Sequence, residues 1–154
     1  MCQSGAVQVD VLTETTIDRP VAAVSAYAAD PGVAPEWYDN IESVEWETEP
    51  PLALGSRAAF VAHFLGRRMA YTYEVVEFEP GQRLVMRTAE GPFPMETTYT
   101  WEPLGDDRTR MTLRNRGTPS GFSRLVGPVM VRAMRRANRR DLAALKAVLE
   151  SRDA

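Results

Sequence analysis

The sequence predicts an α+β domain in which a mostly antiparallel sheet of about seven strands lies against one long C-terminal helix. Two observations lead there. Through most of residues 7–115 apolar side chains recur at every second position, interrupted at short intervals by Gly, Pro and Asp. From Ser120 to Ser151 the spacing changes to steps of three and four, the period of a helix. An amphipathic helix that ends a strand-rich chain needs a sheet to cover its apolar side.

Val7, Val9, Val11, Thr13, Thr15 and Ile17 alternate with Gln8, Asp10, Glu14 and Thr16, a first strand with one apolar face flawed only at Leu12. Asp18-Arg19-Pro20 opens a short helix, with Asp18 or Arg19 near the cap and Pro20 in the first turn. It carries Val21, Val24 and Tyr27 and stops near Asp30-Pro31-Gly32. A second short helical turn over Val33–Tyr38 presents Trp37 and Tyr38. Val44 and Trp46 then alternate with Ser43, Glu45 and Glu47 in a strand from Ile41, ended by Pro50-Pro51 and Gly55. Five more strands follow, over Arg57–Leu65, Arg68–Phe78, Arg83–Ala89, Met95–Glu102 and Thr109–Asn115. Gly66-Arg67, Glu79-Pro80-Gly81, Gly91-Pro92-Phe93-Pro94 and Gly105-Asp106-Asp107 make the turns between them.

In the long helix Val126, Val129, Met130, Ala133, Met134, Ala137, Ala144, Leu145 and Val148 share one arc. Arg132, Arg135, Arg136, Arg139 and Arg140 take the opposite one, which reads as a solvated face. Ser120 suits the N-cap. Pro128 has no N–H for the carbonyl of Arg124, so a kink or restart is expected there. Asp141 falls inside the apolar arc, where a carboxylate must be paired, hydrogen-bonded or raised in pKa. Two readings stand for it: a partner arginine or backbone donors near the first strand, or an acid lining an interior space.

The 154 residues suit a single domain over 1–154, large enough to form a core without disulfides. Cys2 is the only cysteine, so no intrachain disulfide framework or cysteine metal cluster can form. The first residues carry neither a basic nor an apolar signal region, and no apolar run reaches the ~18 residues that span a bilayer. A cytoplasmic protein without membrane insertion is expected. A net charge of −3 gives no global attraction to nucleic acid.

Alternation also assigns faces. Tyr99, Trp101, Met111, Leu113 and Asn115 form the inward set of the last two strands. Met69, Tyr71, Tyr73 and Val75 share a face, and a two-residue turn at Gly66 places Phe60, Ala62 and Phe64 on it, with Val61 and His63 outside. Tyrosines, threonines and Asn115 thus mix with Met86, Met130 and Met134 on the inner surface. A sealed core would use Leu, Ile and Val and would have to partner every hydroxyl. Methionines and aromatics with scattered hydroxyls suit a cavity for an apolar ligand better, although a core whose tyrosine hydroxyls reach the surface fits the same pattern. The expected lining is Phe60, Phe64, Met69, Tyr71, Tyr73 and Met86, with Tyr99, Trp101, Met111, Asn115, Met130 and Met134. Trp37, Tyr38 and Phe93 are expected at the entrance.

The order of elements, with Thr16-Ile17-Asp18-Arg19-Pro20, Tyr73–Gly81, Thr98–Pro103 and Asp141–Glu150, resembles the START-like or SRPBCC superfamily, in particular its polyketide cyclase/dehydrase and lipid-transport-like branch. The resemblance spans roughly Val7 to Glu150 and implies the helix-grip fold: a strongly curved sheet wrapped around the C-terminal helix, with a ligand cavity between them. Its members include aromatase/cyclases and lipid carriers. Cyclases of the superfamily shape a poly-keto chain with help from tyrosine and arginine, yet Arg87 and Arg114, the candidate strand arginines, alternate outward here.

His63 is the only histidine and lies on the outer face, and no GxSxG, HExxH, CxxC or P-loop pattern occurs. No catalytic residue is assigned, and no metal or cofactor is expected. The expected function is binding of a hydrophobic or aromatic small molecule of lipid, polyketide or isoprenoid type. The alternative is a polyketide cyclase or dehydratase, an aromatase-type lyase using the same cavity. The apolar outer run Ala59, Val61, Leu65, Ala70 and Val76 points to a homodimer contact.

Overall fold

The first strand, β1 (Val9–Ile17), keeps its alternation: Val9, Val11 and Ile17 are buried, and Leu12, the flaw in the pattern, is 59% exposed on the other face. The structure is a computed structural model that describes residues 8–64, 66–118 and 127–152. After β1 come α1 (Val21–Ala28), a 3₁₀ turn over Pro31–Val33 and the single-turn α2 (Ala34–Trp37). Pro20 is the extended cap of α1 and not part of its first turn; its fixed φ of −62° suits the helix entry. Asp30 caps the 3₁₀ turn, its carboxylate accepting from the N–H of Gly32 at 2.8 Å.

Six further strands follow: β2 (Ile41–Trp46), β3 (Arg57–Phe64), β4 (Arg67–Glu79), β5 (Arg83–Glu90), β6 (Met95–Pro103) and β7 (Thr109–Gly117). All seven form one antiparallel sheet in the order β1-β7-β6-β5-β4-β3-β2. The sheet is the curled half-barrel of the helix-grip fold. Phe64 pairs with Arg67, so the β3–β4 turn has two residues and the parity expected for Phe60, Ala62, Tyr71 and Tyr73 holds. Gly66 sits in that turn with φ +78°, a conformation that other residues rarely adopt.

Curvature is built into the β4–β5 pair. The pairing slips between Thr72 and Tyr73 and again between Val75 and Glu77. Such bulges bend a strand and raise its twist. The second one reverses parity, so Val75 and Phe78 both turn to the core side.

The C-terminal helix, α3 (Gly127–Ser151), fills the concave side of the sheet. Pro128 stands in the first turn of the described helix, and Arg124, against which the kink or restart is expected, lies outside the described residues. The expected cap at Ser120 lies outside the described residues, as does Val126. The buried stripe is Met130, Asn138, Asp141, Leu142, Leu145 and Leu149. Val129, expected on the apolar arc, is 56% exposed, because the true stripe is rotated toward Asn138. The end of α3 is pinned to β1: Lys146 Nζ donates to the Thr16 carbonyl at 2.7 Å, and the Asp18 N–H donates to Glu150 at 2.8 Å. The outer sheet face carries ion pairs, among them Arg114–Asp10 at 2.6 Å and Arg110–Glu102 at 2.8 Å.

Candidate functional site

Between the sheet and α3 lies a cavity of about 130 Å³. That is on the scale of the ~150 Å³ space known to take one benzene, so anything longer than a single ring must extend toward the mouth. Each wall follows from the element that supplies it. β3 contributes Phe60, Ala62 and Phe64, and β4 contributes Met69, Tyr71 and Tyr73, all on the inner parity of one hairpin. Met86 of β5, Thr97 and Tyr99 of β6, and Asn115 of β7 continue that face. α3 closes it with Met130, Met134, Ala137, Asn138 and Asp141. Tyr38 and Phe93 come from the flanking loops.

Three expected residues stand elsewhere. Trp101 and Met111 face inward as alternation requires, but they pair with each other one layer farther along the sheet, beyond the end of the cavity, and Trp101 lines a separate space with Trp46 and Phe78. Alternation fixes which face a side chain takes and is silent on depth along the strand. Trp37 is not at the entrance. It is 2% exposed, packed on Tyr38 at 4.2 Å and Tyr99 at 5.9 Å between ring centroids. The helical turn of α2 sends it into the core, and the chain leaves the helix extended at Tyr38, which turns to the cavity instead.

The wall is aromatic and ordered. Tyr71 stacks on Phe60 at 5.4 Å and meets Tyr73 edge-on at 5.1 Å. Thr97 donates to Asn115 Oδ1 at 2.6 Å, so the Tyr73 hydroxyl, 2.8 Å from Thr97 Oγ1, is the donor of that pair. Tyr38 and Tyr99 share one hydrogen bond at 2.7 Å. Burial pushes the Tyr73 phenol up to about 12 and raises Tyr38, Tyr71 and Tyr99 as well. These phenols stay protonated at any ordinary pH and act as hydrogen-bonding groups, not as bases.

Asp141 behaves differently. It is 2% exposed, and its Oδ1 accepts from the Asp39 N–H at 3.1 Å. The backbone donor comes from the loop after α2, not from the first strand. Burial pushes its carboxyl up to about 6, opposed by that hydrogen bond. Because the folded pKa is raised, the native state holds this proton more tightly than the unfolded chain does. Its contribution to stability is therefore complete below pH ~4 and lost as pH rises through about 6. The whole shift corresponds to about 3 kcal/mol, and solvent screening reduces it to about 2. Asp141→Asn keeps the acceptor and is expected to be about 2 kcal/mol more stable than wild type at pH 8, with the gap closing by pH 4. Urea denaturation of both proteins at pH 4, 6 and 8 measures it; a gap independent of pH would contradict it.

Asn138 is the cavity residue that binary patterning misses. It is 4% exposed, and its Nδ2 is sealed from water with no partner among the described residues. Its register gives it away: four after Met134 and three before Asp141, it belongs to the same stripe. His63 lies outside, bonded to Glu42 at 2.8 Å. Arg87 points outward to Glu96 at 2.8 Å and Arg114 to Asp10. No metal-binding cluster occurs among the described residues, and no helix there is long and apolar enough to cross a membrane.

The family model described as polyketide cyclase / dehydrase and lipid transport matches residues 8–150. The chain belongs to that family. Among solved structures, a protein from Thermus thermophilus is 22% identical, covering 94% of this chain and 99% of its own, at a TM-score of 0.80. The Zhui aromatase/cyclase from a Streptomyces species is 18% identical over 93% of this chain and 94% of its own, at 0.78. A START superfamily protein from Mycobacterium smegmatis is 14% identical over 92% and 97%, also at 0.78. At these identities the likeness is one of fold. None of the curated proteins matches the chain.

Proposed function

We propose that this family member binds a hydrophobic or aromatic small molecule, of lipid, polyketide or isoprenoid type, between the sheet and α3. The observation that carries the reading is an unfilled space between sheet and helix, lined by Phe60, Phe64, Met69, Tyr71, Met130 and Met134. Apolar contact supplies affinity, and the few polar groups orient the ligand. The cavity lining, with Tyr38 and Phe93 at the mouth, is part of this proposal, as are residence in the cytoplasm and a homodimer through the outer face.

A second reading, cyclisation or dehydration of a poly-keto chain, draws on the family and on Asp141, a buried acid whose pKa lies near neutrality. Against it stand the strand arginines, which are spent on outer ion pairs, and Tyr38, Tyr73 and Tyr99, whose hydroxyls are bonded to one another or to Thr97. Tyr73→Phe and Tyr99→Phe separate the two readings. Under binding each weakens an apolar probe by about threefold or less, the worth of one neutral hydrogen bond. Under catalysis turnover of a poly-keto substrate falls by about a hundredfold or more while binding holds.

A further inference from the structure

The polar groups of the cavity do not balance. Tyr73 spends its hydrogen on Thr97, and Thr97 spends its own on Asn115. The Tyr38–Tyr99 pair uses one hydrogen and leaves the other free. Tyr71 makes ring contacts but its hydroxyl has no partner among the described residues. Asn138 Nδ2 is buried and unpartnered, and a ligand acceptor would relieve the desolvation cost of that donor. Donors are therefore in surplus.

Charge points the other way from an anionic ligand. The charged residues of the wall are Asp30, Asp141 and Arg116. Arg116 is held by Glu96 at 2.6 Å, and Asp30 by the Gly32 N–H. Asp141, one turn from Asn138 on α3, has no cation in the wall beside it: Arg140 reaches outward to Asp39 at 3.2 Å. A ligand carboxylate placed against Asn138 would meet the Asp141 carboxylate in a poorly solvated space, and like charges there are costly.

We propose that the cavity selects an uncharged ligand with a hydrogen-bond-accepting head, a ketone or other neutral carbonyl, docked at Asn138, and that Asp141 excludes carboxylates such as free fatty acids. This rests on the reading that the cavity takes an apolar ligand, and it names the head group and the two residues that choose it.

Three probes with one ring system test it: naphthalene, 2-acetylnaphthalene and 2-naphthoate, titrated into the full chain at pH 8 by calorimetry. The expected order is acetylnaphthalene about fivefold tighter than naphthalene, with naphthoate at least about tenfold weaker than the ketone. Asn138→Leu should erase the advantage of the ketone, read as the ratio of acetylnaphthalene to naphthalene affinity in the same variant. Asp141→Asn should restore much of the naphthoate affinity. Naphthoate binding as tightly as the ketone to wild type would overturn the proposal without help from any variant. So would a folded Asn138→Leu that keeps the ketone preference. If naphthalene itself fails to bind, the cavity reading falls and this inference with it; naphthalene binding without discrimination sinks only the inference.

Discussion

Leu145→Ala is expected to destabilise the protein by about 3 kcal/mol, within the range of about 2–5 typical of buried leucines. Leu145 is 0% exposed and belongs to the core cluster that joins Ile17, Trp37, Met111 and Leu113. It lies on α3 outside the cavity wall, so deletion opens a new void where packing is complete and relaxation is small. For a domain of this size each kcal/mol lowers Tm by about 2–4 °C, so a fall of about 6–12 °C is expected in a thermal melt. A loss under about 1 kcal/mol would mean that α3 is not seated on the sheet at this level.

Ala137→Phe is expected to do the reverse: abolish binding and spare the fold. Ala137 faces the cavity from the same helix. A benzene-sized ring entering a space of about 130 Å³ occupies what a ligand would use. Filling a real void avoids most of the roughly 1–3 kcal/mol that overpacking a dense core costs. Tm should change by no more than a few degrees, while affinity for naphthalene or acetylnaphthalene falls by about fiftyfold or more. Retained affinity would place the ligand elsewhere. Severe destabilisation would mean that the space is not available to a side chain. Together the two variants separate the part of α3 that holds the fold from the part that lines the site.

Much of this was legible in the sequence because period-two alternation fixes faces. Phe60, Tyr71, Tyr73 and Tyr99 face inward because one two-residue turn and unbroken alternation leave them no other side. Depth was not legible. Trp101 obeys the same alternation as Tyr99, yet two residues along β6, about 7 Å, carry it past the end of the cavity. The bulge at Val75–Glu77, which brings Phe78 to the core, leaves no mark in a run of Val-Val that suits either register. On α3 the apolar pattern found Asp141 and passed over Asn138, because a scan for hydrophobic residues discounts a polar side chain on the buried stripe. A site selects for the positions where patterning fails, so Asn138 was the residue such a scan was least able to find.

The central claim is that the space between sheet and helix takes an apolar small molecule. Native mass spectrometry of the purified protein, with extraction and identification of whatever co-purifies, tests it most directly. A stoichiometric adduct that disappears in Ala137→Phe is the result predicted here. A protein that is empty as isolated, and whose melting temperature ignores a panel of lipids, isoprenoids and aromatic ketones, would contradict it.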